Sequence, residues 1–368
     1  MKIKKIKAQN FRNIESCEIE FEGGVNLLYG NNAQGKTNII EAIYYFSRGK
    51  SFRGASDDEL KKMGEDGYFI SLDFESEKRC QTLAYRTYQK EKKKYKNGAE
   101  EKKMMDMIGH FRAVLFFPEH LYLVKEGPSG RRDFTDVGIS QIKPVYISIY
   151  SQYLKLLKNR NSIIKDAQKG FYFDRDLLDS FSEAMAEKSA YINEARREYL
   201  CDVEKYAKEI LFDISEGKEE LSLEYISDIE DNFESVEKKT EQYRRIFTEN
   251  IQKEIFAGNS LYGIHRDDFE IKINGISARH FASQGQQRSI VLALKLAEGE
   301  VCREKCGEYP VFLFDDVLSE LDEKRRAYVL AEKQEKQIII SACDKSEFSE
   351  SNTNIIKVEN GKYVSSYR

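Results

Sequence analysis

The chain has no tryptophan and only four prolines, and no proline lies between Pro144 and Pro310. That gap permits long uninterrupted helices in the middle of the sequence. Its six cysteines (Cys17, Cys80, Cys201, Cys302, Cys306, Cys343) include no CxxC pair and no metal-like spacing. A zinc site and a disulfide framework are therefore not expected, and reduced thiols are. Cys302 and Cys306 stand one helical turn apart, the spacing of a helix face. There is no excess of positive charge either: the formal net charge is −4, so any nucleic-acid surface must be local. No run approaches the roughly 18 apolar residues of a membrane span. The basic stretch Met1–Lys7 lacks an apolar signal-peptide core and alternates like a strand. A cytoplasmic protein without a membrane segment is the expectation.

What is present is enough for a folded core. The 368 residues are 40% hydrophobic and 12% aromatic, room for one large or two moderate domains. The chain is organised around Gly30-Asn31-Asn32-Ala33-Gln34-Gly35-Lys36-Thr37, which follows the apolar run Val25–Tyr29 and opens the periodic stretch Asn38–Ile43. Strand, glycine-bounded loop, Lys-Thr and helix form the context of a Walker A phosphate loop. Glycines let backbone N–H groups turn onto phosphates, and the helix presents the positive end of its dipole. Lys36 would reach the β- and γ-phosphates of ATP, and the Thr37 hydroxyl would ligate Mg²⁺. A Gly/Asn-rich turn that merely precedes Lys-Thr is the bland alternative.

Before the loop, Lys2–Ala8 and Cys17–Phe21 read as short strands. After it come a basic loop, Lys50–Gly54, with Arg53 beside the nucleotide, and a hairpin, Tyr68–Phe74 with Cys80–Tyr88. The lysine-rich segment from Lys90 to Lys103 follows, and then the strand Ala113–Phe117. Between Pro144 and about Gly217 the apolar period becomes 3.6, and residues from Leu177 to Ile214 trace one face of a helix of roughly forty residues. Its spacings are too irregular for coiled-coil arms, so a compact helical lobe is expected. A weak strand (Leu221–Ile226), an acidic run (Asp228–Glu234) and a strand with an Asn274-Gly275 turn lead to Ser283–Ser289, which opens a helix over Ile290–Glu300.

Two further motifs carry chemistry. Val311–Phe314 is a buried strand that ends in Asp315-Asp316. Asp315 would hold Mg²⁺, and Asp316 would orient or deprotonate the attacking water. Ser283, Gln284 and Gly285 at a helix N-terminus make a second anion site. One protomer's phosphates are already served by the first loop, so this site implies a nucleotide held by another copy, with Ser283 and Gln284 acting in trans. Ser319-Glu320-Leu321-Asp322 fits the loop that crosses such an interface.

On these residues the chain resembles the RecF family of bacterial recombination-mediator ATPases, related to SMC heads. The resemblance rests on Gly30–Asn38, Gly49–Arg53, Gly127–Phe134, Gly263–Asp268, Ser283–Arg288 and Asp315–Asp322, which run from end to end of the chain. It implies an α/β fold: an ABC/SMC-type P-loop head with a mixed sheet, lobe I, from residues 1–117 and 284–368, and an inserted, mostly helical lobe II over 118–283, with the signature motif at the boundary. Gly30, Asn31, Asn32, Ala33, Gln34, Gly35, Lys36, Thr37, Asn38, Arg53 and Gly285 would contact ATP. Thr37 and Asp315 would hold Mg²⁺, and Lys36, Asp315, Asp316, Ser283 and Gln284 would be catalytic. The family likeness further implies an ATP-dependent homodimer on double-stranded DNA near ss/ds gap junctions. Weak, DNA-stimulated hydrolysis would release it, and RecO and RecR would be its partners in loading RecA.

Three positions depart from the pattern: Thr135 replaces an aliphatic residue, His120 an acid, and Ser341-Ala342-Cys343-Asp344 a threonine-rich stretch. The alternative is a transport-type ABC ATPase subunit. Against it stand the missing switch histidine, Asp316 where transporters place Glu, and the basic first strand. Two lysine clusters are candidate DNA contacts: Lys2, Lys4, Lys5 and Lys7, and Lys90–Lys103 with Tyr88 and Tyr95 interleaved. A solvated charged hairpin is the competing reading of each. Arg131 and Arg132 are expected to be structural or interface residues.

Overall fold

The computed structural model describes residues 1–89, 91–230, 235–318, 321–330, 335–344, 353–359 and 361–365. Lys90, residues 231–234 of the acidic run, Ser319 and Glu320, and Asn360 lie outside the described residues. The chain divides into two compact units, residues 1–121, 205–220 and 282–368 forming one and residues 122–204 and 221–281 the other.

The first unit holds two six-stranded sheets. One is antiparallel and runs in the order β2-β1-β4-β5-β6-β7: β1 is Lys2–Phe11, β2 Ile14–Glu20, β4 Phe69–Ser76, β5 Arg79–Tyr88, β6 Glu91–Lys96 and β7 Ala99–Glu101. The other runs β15-β14-β3-β13-β12-β8: β3 is Val25–Tyr29, β8 Ala113–Phe116, β12 Val311–Asp315, β13 Ile338–Ala342, β14 Thr353–Glu359 and β15 Lys362–Ser365. Every pairing in it is parallel except β14 with β15. β12 and β8 are buried along their whole length, as a sheet covered on both faces requires. Helix Lys36–Arg48 starts directly after the phosphate loop, and Ile39, Ile40, Ile43 and Phe46 join the core with Leu28, Leu313 and Ile339.

In β1, strict alternation would set Lys2 and Lys4 on the face opposite Lys5 and Lys7. A register shift between Ile3 and Lys5 removes the conflict and lets Ile3 and Ile6 both enter the core. The lysine-rich segment, which has no apolar alternation, forms strands β6 and β7 because β5 offers it a partner edge.

The second unit contains helices Pro128–Ile142, Val145–Gln168, Val236–Glu249 and Ile251–Ala257, with most of the helix Arg175–Ile214. A three-stranded antiparallel sheet joins β9 (Leu221–Ile226), β10 (Asp268–Ile273) and β11 (Ile276–Ser277). Along Arg175–Ile214 the expected stripe is buried at Met185, Ile192, Ala195, Tyr199 and Val203, but Leu177 is exposed, because it lies in the helix's first turn, on the solvent side. Arg131 is structural: its guanidinium forks onto Asp268 at 2.6 and 2.8 Å and caps the carbonyls of Leu123 and Glu126.

Candidate functional site

The phosphate loop sits where β3 ends, and β12, parallel to it and one strand away across β13, delivers its carboxylates to the same edge. Two glycines are required sterically. A Cβ on Gly30 would lie 2.2 Å from the Val358 carbonyl oxygen. One on Gly35, at φ +116°, would lie 2.9 Å from the Tyr363 hydroxyl. Residues 32–38, Arg53 and Asp316 line a cavity of about 230 Å³. Gly30 and Asn31 lie at the root of the loop, where their carbonyls accept from Lys36 Nζ at 2.7 and 3.1 Å. Lys36 is buried, and its ammonium also lies 3.7 Å from Cys343 Sγ. Cys343 in turn donates to Asn32 Oδ1 at 2.9 Å.

Thr37 Oγ1 donates to Asp315 Oδ1 at 2.9 Å, joining residues 278 positions apart. Ser341 Oγ, at the end of β13, lies 2.8 Å from Asp315 Oδ1 and 3.2 Å from Asp316 Oδ1, and accepts from the Asp316 amide at 2.9 Å. Asp316 adopts φ 51°, a left-handed conformation that a non-glycine residue rarely holds. Burial pushes the Asp315 carboxyl up to about 6, against the lowering effect of the Ser341 and Thr37 hydroxyls, and the Asp316 charge adds to the rise. A hydroxyl bonded to a carboxylate supplies the hard oxygen donors that suit Mg²⁺, which keeps its other positions for phosphate oxygens and water. Among the described residues no group of three or more His, Cys, Asp or Glu could cage a metal by itself.

A supporting layer lies behind the loop. Glu41, fully buried, accepts a two-pronged contact from Arg12 at 2.8 and 2.9 Å and also the Ser51 hydroxyl, whose oxygen takes the Arg53 amide at 3.0 Å. Asn38 Nδ2 donates to Asn13 Oδ1 at 2.7 Å. Sequence reasoning missed Asn13, Ser341 and Cys343 as neighbours of the site. A small polar residue ending a buried parallel strand was the available signal for Ser341. Nothing local marks Asn13.

Ser283, Gln284 and Gly285 are exposed and do not line this cavity in their own chain. Ser283 caps the helix Gln284–Cys306: its hydroxyl accepts from the Gln286 amide, and Gln286 returns a bond to the Ser283 amide at 2.8 Å. Gly285 has no left-handed φ, and a Cβ there meets nothing within 4 Å. Its own protomer does not demand a glycine. From the segment that follows the acids, Arg325 bonds the Ser289 hydroxyl at 2.6 and 2.9 Å and tethers itself to this helix.

A glycine loop and paired acids meeting at the carboxyl edge of a parallel sheet make this an α/β P-loop ATPase head of the ABC/SMC type. The family model described as the RecF/RecN/SMC N-terminal domain matches residues 2–365. The DNA replication and repair protein RecF of Clostridium acetobutylicum is 37% identical over 366 residues, spanning 98% of this chain and 99% of that protein. The RecF of Exiguobacterium sp. is 41% identical over 337 residues, spanning 90% of this chain and 89% of that one. A solved structure of the recombination mediator protein RecF with ATP superposes with a TM-score of 0.92 at 35% identity, covering 100% of this chain and 98% of the other. An SMC head domain from Pyrococcus furiosus shares the fold, with a TM-score of 0.56 at 17% identity. The chain belongs to the RecF family of SMC-like ATPases.

Proposed function

We propose that this protein binds and slowly hydrolyses ATP in DNA replication and repair. In this reading its ATP-bound state is a homodimer that grips duplex DNA near single-strand gaps, and hydrolysis releases it. The carrying observation is the Thr37–Asp315 hydrogen bond beside the Lys36 cavity. It sets a Mg²⁺-competent pair next to a lysine that ATP phosphates would draw off its loop carbonyls. Asp316 would orient the attacking water. The open space above Gly285 supports docking of a second copy's nucleotide on the Ser283–Gly285 helix start, where the helix dipole favours phosphate. The solved RecF structure is described as part of a RecFOR pathway, which supports RecO and RecR as partners; in this reading they would together load RecA, in the cytoplasm.

Duplex binding across a salt series with ATP, ADP or no nucleotide tests this for wild type and Asp316→Asn. The expected result is salt-sensitive binding with ATP alone, stronger in the variant, whose turnover falls by roughly 10²–10⁴-fold. Nucleotide-independent or absent binding with normal turnover would sink the clamp.

A further inference from the structure

Both lysine clusters lie on the antiparallel sheet, where register decides what each cation faces. On β1 three of the four lysines, Lys4, Lys5 and Lys7, are already paired. Lys5 stands opposite Glu20 and Lys7 opposite Glu18. Lys5 Nζ lies 2.6 Å from Glu18 and 3.0 Å from Glu20, and Lys7 Nζ lies 3.0 Å from Glu18. Lys4 bridges to Glu75 on β4 at 2.9 Å. A polyanion would have to compete with four fixed contacts there.

The β5–β6 ribbon is arranged in the opposite sense. Arg86 and Lys93 stand directly opposite each other, both exposed, and among the described residues neither forms an ion pair. Like charges in that position destabilise a sheet. Lys94 Nζ donates only to a carbonyl, that of Lys92, at 3.2 Å, and Lys96 Nζ lies 2.9 Å from His110 Nε2. Among the described residues, Lys92 is the one of these ribbon cations with a carboxylate, Asp57. Tyr88, 49% exposed, and Tyr95 share the face that carries Arg86 and Lys93. That face also carries Glu91, opposite Tyr88, and Glu100, opposite Tyr95, but among the described residues neither bridges Arg86 or Lys93, which stay two unpaired cations in a chain of net charge −4.

We infer that the β5–β6 ribbon, through Arg86 and Lys93, takes the phosphate backbone of duplex DNA, and that the β1 lysines do not. Lys94 and Lys96 add to the local field. This rests on the functional reading above and names the surface that reading requires. Contacts of this kind are sequence-independent, and each phosphate neutralised contributes about −0.9 to the slope of log affinity against log salt.

The test uses the full chain with ATP, a fluorescent duplex and a potassium chloride series. Arg86→Gln/Lys93→Gln should flatten the slope by about 1.8 and weaken binding roughly 10-fold or more at physiological salt. Lys5→Gln/Lys7→Gln should stay within about 2-fold of wild type. Arg86→Lys/Lys93→Arg, which keeps both charges, should retain the wild-type slope, and DNA-free ATP turnover should be unchanged in all three. If the Gln ribbon variant keeps the wild-type slope, or the β1 variant loses it, the ribbon assignment is overturned while the clamp stands. If wild type itself binds no duplex at any salt, the functional reading falls and the surface falls with it.

Discussion

In the parallel sheet, β12 is buried from Val311 to Asp315 and offers chemistry only at its end, where Asp315 meets Thr37 and Ser341. In the antiparallel sheet, β6 exposes Glu91, Lys92 and Lys93 and offers chemistry along its face. A doubly covered sheet leaves only its strand ends open, so a functional residue there interrupts an apolar run and stands out as a motif. A half-exposed sheet presents every second side chain to water, and a charge there means little until its cross-strand neighbour is known. Equal lysine content on β1 and β6 therefore leaves three lysines bridged to carboxylates on β1 and, among the described residues, only Lys92 so bridged on β6.

The comparison can be broken first at the exposed helix start. A Ser283→Arg protein should bind ATP as wild type does yet lose ATP-dependent dimerisation outright, read by light scattering with a nucleotide titration. If it still dimerises, the open space above Gly285 is no docking site for a second copy.

The next effect asks whether strongly perturbed carboxylates are confined to the parallel-sheet edge. Asp267, just before β10, is buried with Oδ1 lacking a hydrogen bond, and burial pushes its carboxyl from 3.8 up to about 6 despite Arg196 and Tyr225. The folded state then holds the proton more tightly than the unfolded chain. Stability contributed by this group is full below pH 4, declines between pH 4 and 6, and is flat above. Against Asp267→Asn, which mimics the protonated form, wild type should lose about 3 kcal/mol between pH 4 and pH 7 in urea denaturation. Parallel curves would show that Asp267 titrates normally, which would leave Asp315 as the strongly shifted member of the pair.

Smallest is the lysine at the loop itself. Lys36→Ala should weaken ATP binding about 10–100-fold in calorimetry, the worth of a charge-assisted contact to phosphate, with little change in thermal stability. A large loss of stability instead would mean that its bonds to the Gly30 and Asn31 carbonyls serve the fold before the nucleotide.

Much of the candidate nucleotide site is legible because its determinants are local: Gly30–Thr37 is continuous, and Asp315-Asp316 ends its own apolar strand. The long helix Arg175–Ile214 was legible from its period, although Leu177 shows that periodicity marks a stripe without saying how far along it the neighbours reach. β6 is legible only as part of the competing charged-hairpin reading, because its partner edge on β5, and not its own pattern, holds it. Asn13 and Ser341 were missed for a similar reason, since each acquires its role from residues brought beside it by other elements.

By itself, the order of residues determined the chemistry available to this protein: a phosphate loop, a hydroxyl, two acids and a capped helix start, each written within a few consecutive positions. Only the tertiary structure decided which of them meet and which charges remain unpaired. The Thr37–Asp315 bond spans 278 residues, and the contrast between Lys7 facing Glu18 and Lys93 facing Arg86 is a matter of strand register. Register and long-range pairing are set by how whole faces pack, since a one-residue slip would carry every side chain to the other side of the sheet.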